Sequence, residues 1–170
     1  APDGEIAGIA RNLDEGRLRG LAVMTSSYAT GQAIAWVQGC DMEGWDRSFR
    51  HSVKARITVD HVMASASLPI VFPATRLNGA WYGDGGLRLA SPLSPALHLG
   101  ASRILSVSTR HDRARVTPGV EEPYPPPLQI AGQILNAIYL DDNEREAFVL
   151  QLMNRLLAEL PPEKRHGMRI

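Results

Sequence analysis

The sequence predicts an α/β fold, on three observations. Two neighbouring apolar stretches, LRGLAVMTSS at 18–27 and AIAWVQG at 33–39, have strand character and are joined through a TGQ turn. The segment ITVDHVMASASLP carries the cap, the small-residue body and the proline stop of a helix. Downstream, SPLSPALHLGA followed by SRILSVSTR reads as a helix leading into a strand, the alternation from which layered α/β domains are built.

Taken in order, Ile6, Ile9, Ala10 and Leu13 fall at helical spacing and place an amphipathic helix at the start. The chain opens inside that pattern and without methionine, so it is expected to be a piece of a longer protein. Residues 18–27 and 33–39 are expected to pair as a hairpin. Residues 41–57 mix charge with isolated aromatics and show no clean period, which predicts loop with room for a short helix. In the next segment Thr58 suits the N-cap, Asp60 suits the first turn, and Pro69 forbids continuation.

IVFPATRLNGAWYGDGG then gives a short extended piece, an Asn78-Gly79 turn signal and a second extended piece running into glycines. Asp84 therefore falls at a strand end. Ser94 is a cap candidate with Pro95 in the first turn and Gly100 as a stop, and Ile104, Leu105 and Val107 support a strand after it. Residues 112–127 are charged and then proline-rich, a loop or linker that cannot join a central strand. The remainder predicts two helices, LQIAGQILNAIYL and DNEREAFVLQLMNRLLAEL, stopped by Pro161 and Pro162. In the second, Phe148, Leu152 and Leu156 share a face beside Val149, Met153 and Leu157, as expected of helices that cover a core. The first is nearly free of charge, which also suits contact with a membrane surface or a subunit.

Composition narrows the function classes. A chain of 170 residues, 44% of them hydrophobic, can bury a core. Eighteen basic residues balance eighteen acidic ones, so no net field favours nucleic acid. The single cysteine, Cys40, has no internal disulfide partner and reads as a small buried hydrophobe in a reducing, cytoplasmic setting. No apolar run approaches the roughly 18–20 residues of a spanning helix.

Most catalytic motifs can be set aside. Glycine pairs with the spacing of a nucleophile elbow are centred on Ile6, Leu18 and Trp81, never on serine. Ser65 and Ser67 lie inside the expected helix, where hydroxyls usually bond back to the chain. Position 88 is arginine, so Gly83 and Gly85 do not begin a dinucleotide loop, and no cofactor is expected. His51, His61, His98, His111 and His166 lack metal-ligand spacing, and neither Lys54 nor Lys164 has a serine three residues before it. What remains is GDGG at 83–86, which in isolation is a turn signal.

Its neighbours give it more meaning. HVMASASLPIVFPA followed by WYGDGGLRLASPLSPALHLGASRILSVST resembles the C-terminal half of patatin-like phospholipases, over about residues 18–110. The resemblance implies that Asp84 is the aspartate of a Ser-Asp dyad, with Gly85 and Gly86 completing its motif. It also implies a three-layer α/β sandwich around a mostly parallel central sheet, incomplete in this chain, and lipid or other ester substrates with no metal. The oxyanion loop and nucleophile of such an enzyme are not among these residues, so an N-terminal segment outside them is expected to supply the serine, and these residues alone are expected to be inactive. Residues 1–111 would then be the C-terminal part of a catalytic domain, 112–127 a linker and 128–170 a helical extension. The alternative is a non-catalytic α/β binding module, or a relative that has lost its nucleophile, in which GDGG is only a turn.

Overall fold

The structure, a computed structural model, describes residues 4–39, 44–47, 50–88, 92–107 and 124–161. Two compact units divide the chain, Ala1–Ser102 and Arg103–Ile170.

The first unit begins with helix α1 (Ala7–Asp14), which buries Ile9 and packs Leu13 beside it; of the face expected from the sequence, Ile6 and Ala10 are exposed, Ile6 standing at the N-cap. Strands β1 (Gly20–Ser27) and β2 (Ala33–Gly39) form the expected antiparallel hairpin, in register from Gly20↔Gly39 to Ser26↔Ala33. Gly31 takes a left-handed φ of 66° in the connection.

The loop expected at 41–57 is instead two strands, β3 (Asp46–Arg47) and β4 (Arg50–Lys54). β4 runs parallel to β2, and β3 folds back on it at the sheet edge. Val53 is the one side chain of β4 that joins the core, so the charged sequence hides a strand defined by tertiary pairing rather than by its own period. Cys40 lies outside the described residues.

Helix α2 (Val59–Ser65) starts where expected, in a capping box. The Thr58 N–H donates to His61 Nδ1 at 3.2 Å, and Thr58 Oγ1 lies 2.8 Å from the same nitrogen. It ends before the proline, and the Ser67 hydroxyl satisfies the Met63 carbonyl of its last turn at 2.7 Å. Residues 70–72 form a turn, with Val71 and Phe72 exposed and Ile70 at a left-handed φ of 72°, so the extended piece expected before Asn78 starts only at Thr75. Strands β5 (Thr75–Leu77) and β6 (Ala80–Asp84) follow as a tight hairpin whose two turn residues, Asn78 and Gly79, both have positive φ.

The six strands lie in the order β3-β4-β2-β1-β6-β5 with helices around them, an α/β fold. The sheet is mixed, and the parallel pairing expected to dominate is confined to β2 with β4. Short connections explain this, because tight turns such as Asn78-Gly79 can join only antiparallel neighbours. The expected three layers are legible in the two core clusters. On one face Ile34 and Trp36 of β2, with Leu21 and Val23 of β1 and Tyr82 of β6, meet Ile9 of α1 and Ala64 of α2. On the other, Ala35 and Val37 meet Ala22, Met24, Trp45 and Leu99. Leu99 ends helix α3 (Ser94–His98), whose N-cap is Leu93 rather than the expected Ser94, and Gly100 stops the helix at φ 82°.

The strand expected at 102–110 does not form across 103–107, where Leu105 and Val107 are exposed. An apolar run without a ladder partner gains nothing from extending. In the second unit the two expected helices are one, α4 (Pro127–Glu159). Asp141, Asp142 and Asn143 lower helix propensity without breaking it, since neither proline nor glycine stands there. Phe148, Val149, Leu152, Met153 and Leu156 of α4 are exposed. Among the described residues no helix is long and apolar enough to cross a membrane.

Candidate active site

Asp84 is the last residue of β6, opposite Thr25 of β1. Two backbone bonds hold the turn that follows. The Asp84 N–H donates to the Ser67 carbonyl at 3.0 Å, tying the strand end to the exit of α2. The Gly86 N–H donates to Asp84 Oδ1 at 2.7 Å, an Asx-type closure that fixes the carboxylate plane. Among the described residues no side chain hydrogen-bonds the carboxylate, which leaves its second oxygen open to a donor.

The carboxyl is half-buried, and burial pushes its pKa above the usual carboxylate range; the Gly86 N–H, which favours the charged form, opposes that shift only in part. A carboxylate so placed is a better proton acceptor than one in water.

Gly85 opens the 3₁₀ turn Gly85–Arg88 and is buried against β1. A Cβ there would stand 2.6 Å from the carbonyl carbon of Met24 and 2.7 Å from its Cβ, so only glycine fits. Gly83, on the other side of Asp84, would bring a Cβ to 2.5 Å from the Tyr28 hydroxyl. The first approach seats the Asp84 turn on β1, and the second packs it against Tyr28 just beyond the end of that strand.

Beside the turn lies a cleft of about 420 Å³. Ala22, Val23 and Met24 of β1 line one side, Val62, Ser65 and Ala66 of α2 and its cap another, and Gly85 and Gly86 the third. Sequence reasoning found the two glycines but missed the β1 and α2 wall. Its signal was the small-residue run of α2, which packs close to the sheet and leaves a narrow space rather than none.

The remaining candidates sort cleanly. Ser67 is buried, with its hydroxyl on the Met63 carbonyl and 3.4 Å from Thr75 Oγ1, a packing role as expected. Ser65 lines the cleft. His61 is 7% exposed and edge-on to Trp36 at 4.8 Å between ring centroids. Its Nδ1 accepts from the Thr58 backbone, so the neutral ring carries its proton on Nε2, which has no partner among the described residues. Burial lowers its pKa, and neighbouring Asp60 offsets this in part. Among the described residues no cluster of histidine, cysteine and carboxylates could hold a metal. His111, Lys164 and His166 lie outside those residues.

Comparison with known families gives one match. The family described as Patatin-like phospholipase matches residues 44–97, about a third of the chain, from just before β3 through most of α3. Asp84, Gly85 and Gly86 fall inside it, and the match supports a relationship to that family of lipid acyl hydrolases. Neither curated proteins nor solved structures yield a match.

Proposed function

We propose that this chain supplies the aspartate of a Ser-Asp dyad that hydrolyses carboxylic esters of phospholipids or related lipids through an acyl-enzyme. The observation that carries this reading is the setting of Asp84. It ends a strand, is half-buried, is held by one oxygen on the Gly86 N–H with, among the described residues, no side-chain partner, and is followed by the two glycines that line an apolar cleft.

The chemistry follows from that setting. A serine hydroxyl donated to the free Asp84 oxygen is activated as its proton passes to the carboxylate while Oγ attacks the ester carbonyl. The alcohol leaves with a proton returned from Asp84, and water repeats the cycle to free the acid. Val23, Met24, Val62 and Ala66 offer an acyl chain an apolar wall, and Gly85 and Gly86 leave the approach unobstructed. The serine and the oxyanion donors come from a segment outside these residues, so the 170 residues alone are inactive. Exposed apolar side chains of α4 suit transient contact with a lipid surface.

The rival reading is a binding module whose GDGG is a turn. It is favoured by one observation, that the Asp84 carboxylate closes on its own turn through the Gly86 N–H, as the acid of an ordinary Asx turn does. Labelling of the intact protein by a fluorophosphonate separates the two. The dyad reading expects covalent modification of a serine, reduced at least about a hundredfold in rate by Asp84→Asn; an unmodified protein contradicts it.

A further inference from the structure

Helix α2 is fastened at both ends. At its start His61 Nδ1 accepts the Thr58 N–H at 3.2 Å and closes the capping box. At its exit the Ser67 carbonyl accepts the Asp84 N–H at 3.0 Å. The helix has seven residues and is only about 10 Å long, so a tilt at one end is felt at the other. A second route joins the same two places through the core. The His61 ring meets Trp36, Trp36 Nε1 donates to Thr25 Oγ1 at 2.9 Å, and Thr25 stands opposite Asp84 in the ladder of β1 and β6.

The fastening at the start holds in one protonation state only. A backbone N–H can only donate, so Nδ1 is bare and the proton sits on Nε2, buried and without a partner among the described residues. A second proton goes to Nδ1, sets it donor against donor with Thr58, and charges a ring packed in the core. Burial accordingly lowers the His61 pKa, and neighbouring Asp60 on the same helix offsets this in part. The other ionisable groups around the ring, among the described residues, are Tyr82 of β6, which packs on the same Trp36, and the Glu5–Arg56 ion pair beside the bridge of Glu5 to Thr58. Turning the ring out with the first turn of α2 brings the charge and the unpartnered N–H to water.

We propose that His61 is an acid-operated latch on the Asp84 joint: neutral, it locks the first turn of α2, and protonated on both nitrogens it releases that turn and loosens the Ser67 carbonyl from the Asp84 main chain. His61 is thus a positioning residue for Asp84, acting through α2 without touching the carboxylate. The latch goes beyond the proposed function and does not depend on it; where the dyad operates, release displaces its base in mild acid. Each unit of pH below the ordinary imidazole value favours the released form about tenfold.

The test follows the intact ¹⁵N-labelled protein by NMR between about pH 8 and pH 5. It is run on Asp84→Asn, so that no carboxyl at this position titrates. The His61 ring signals give the midpoint. The amide signals of Thr58 and of position 84 are expected to shift with that midpoint, while the amide of Val37, in the middle of the sheet, stays fixed. Adding His61→Gln, which keeps an acceptor for the Thr58 N–H and cannot titrate, is expected to hold all three signals still; should that variant fail to fold, the titration of Asp84→Asn decides alone. A position-84 amide that does not move while His61 titrates overturns the proposal, as does one that moves equally with His61→Gln. So does a His61 ring that stays neutral until the Val37 signal is itself lost to unfolding. Fluorophosphonate labelling at neutral pH reads the dyad separately, so either idea can fail alone.

Discussion

Asp84 gives its backbone N–H to the carbonyl of Ser67 at 3.0 Å, so the end of β6 and the exit of α2 are one joint. The position of the carboxylate is thereby set by main chain, through Ser67 on one side and Gly86 on the other. Changes to the side chains around it should move stability and chemistry separately.

Gly85→Ala should be severe. The new Cβ meets the Met24 main chain, which cannot swing away, and overpacking against backbone costs about 1–3 kcal/mol or more. Gly83→Ala meets the ring of Tyr28, which is half exposed and free to rotate outward, so its cost should be smaller. Urea denaturation midpoints of the two variants check the order; equal losses would mean that the Gly85 contact relaxes.

Thr25→Val tests the core under the site. Trp36 Nε1 donates to Thr25 Oγ1 at 2.9 Å, and both residues are almost fully buried. Valine keeps the shape and orphans the indole N–H, which should cost about 1–3 kcal/mol. The same denaturation experiment reads it, with a loss under about 0.5 kcal/mol contradicting the buried-bond account.

His61 gives the fold a pH dependence. Burial lowers its pKa, so the unfolded chain takes up a proton first as pH falls, and native stability declines from about the unfolded value of 6.5 downward. Above that range the contribution is fully present. His61→Gln keeps a side-chain acceptor for the capping box and cannot titrate. Comparing denaturation at pH 7.5 and 5.5 should show a smaller drop for the variant than for the natural chain; equal drops would place the proton elsewhere.

Asp84 carries the opposite sign. Its carboxyl pKa is raised, so the native state binds the proton more tightly and ionisation costs stability once pH passes from the unfolded value up through the folded one. At pH 7 the charge is a net burden on the fold. Asp84→Asn retains an oxygen for the Gly86 N–H and loses the charge, and should melt about 2–5 °C higher than the natural chain at pH 7. A lower melting temperature would contradict the burial cost assigned to this carboxylate.

Much of this was legible in the sequence because local chemistry and fold agreed. Thr58, Asn78-Gly79 and Gly100 each demanded a particular backbone state and received it. β4 was not legible, since RHSVK has one core side chain and owes its strand to β2. The run around Leu105 failed in the reverse way, with strand-forming residues and no neighbour to pair. In the site, turn chemistry marked Asp84 and its two glycines only as a turn, and it was the resemblance of the flanking segments to patatin-like phospholipases that singled them out. The cleft wall was not legible, because Ala22, Met24 and Val62 are ordinary apolar residues that only the placing of α2 beside β1 brings together.

The central claim is that Asp84 takes the proton of a serine supplied from outside these residues. Turnover of a p-nitrophenyl ester by the serine-bearing protein, natural and Asp84→Asn, tests it most directly. The account predicts a fall in kcat of at least about a hundredfold in a variant at least as stable as its parent. Near-natural turnover by Asp84→Asn would contradict it.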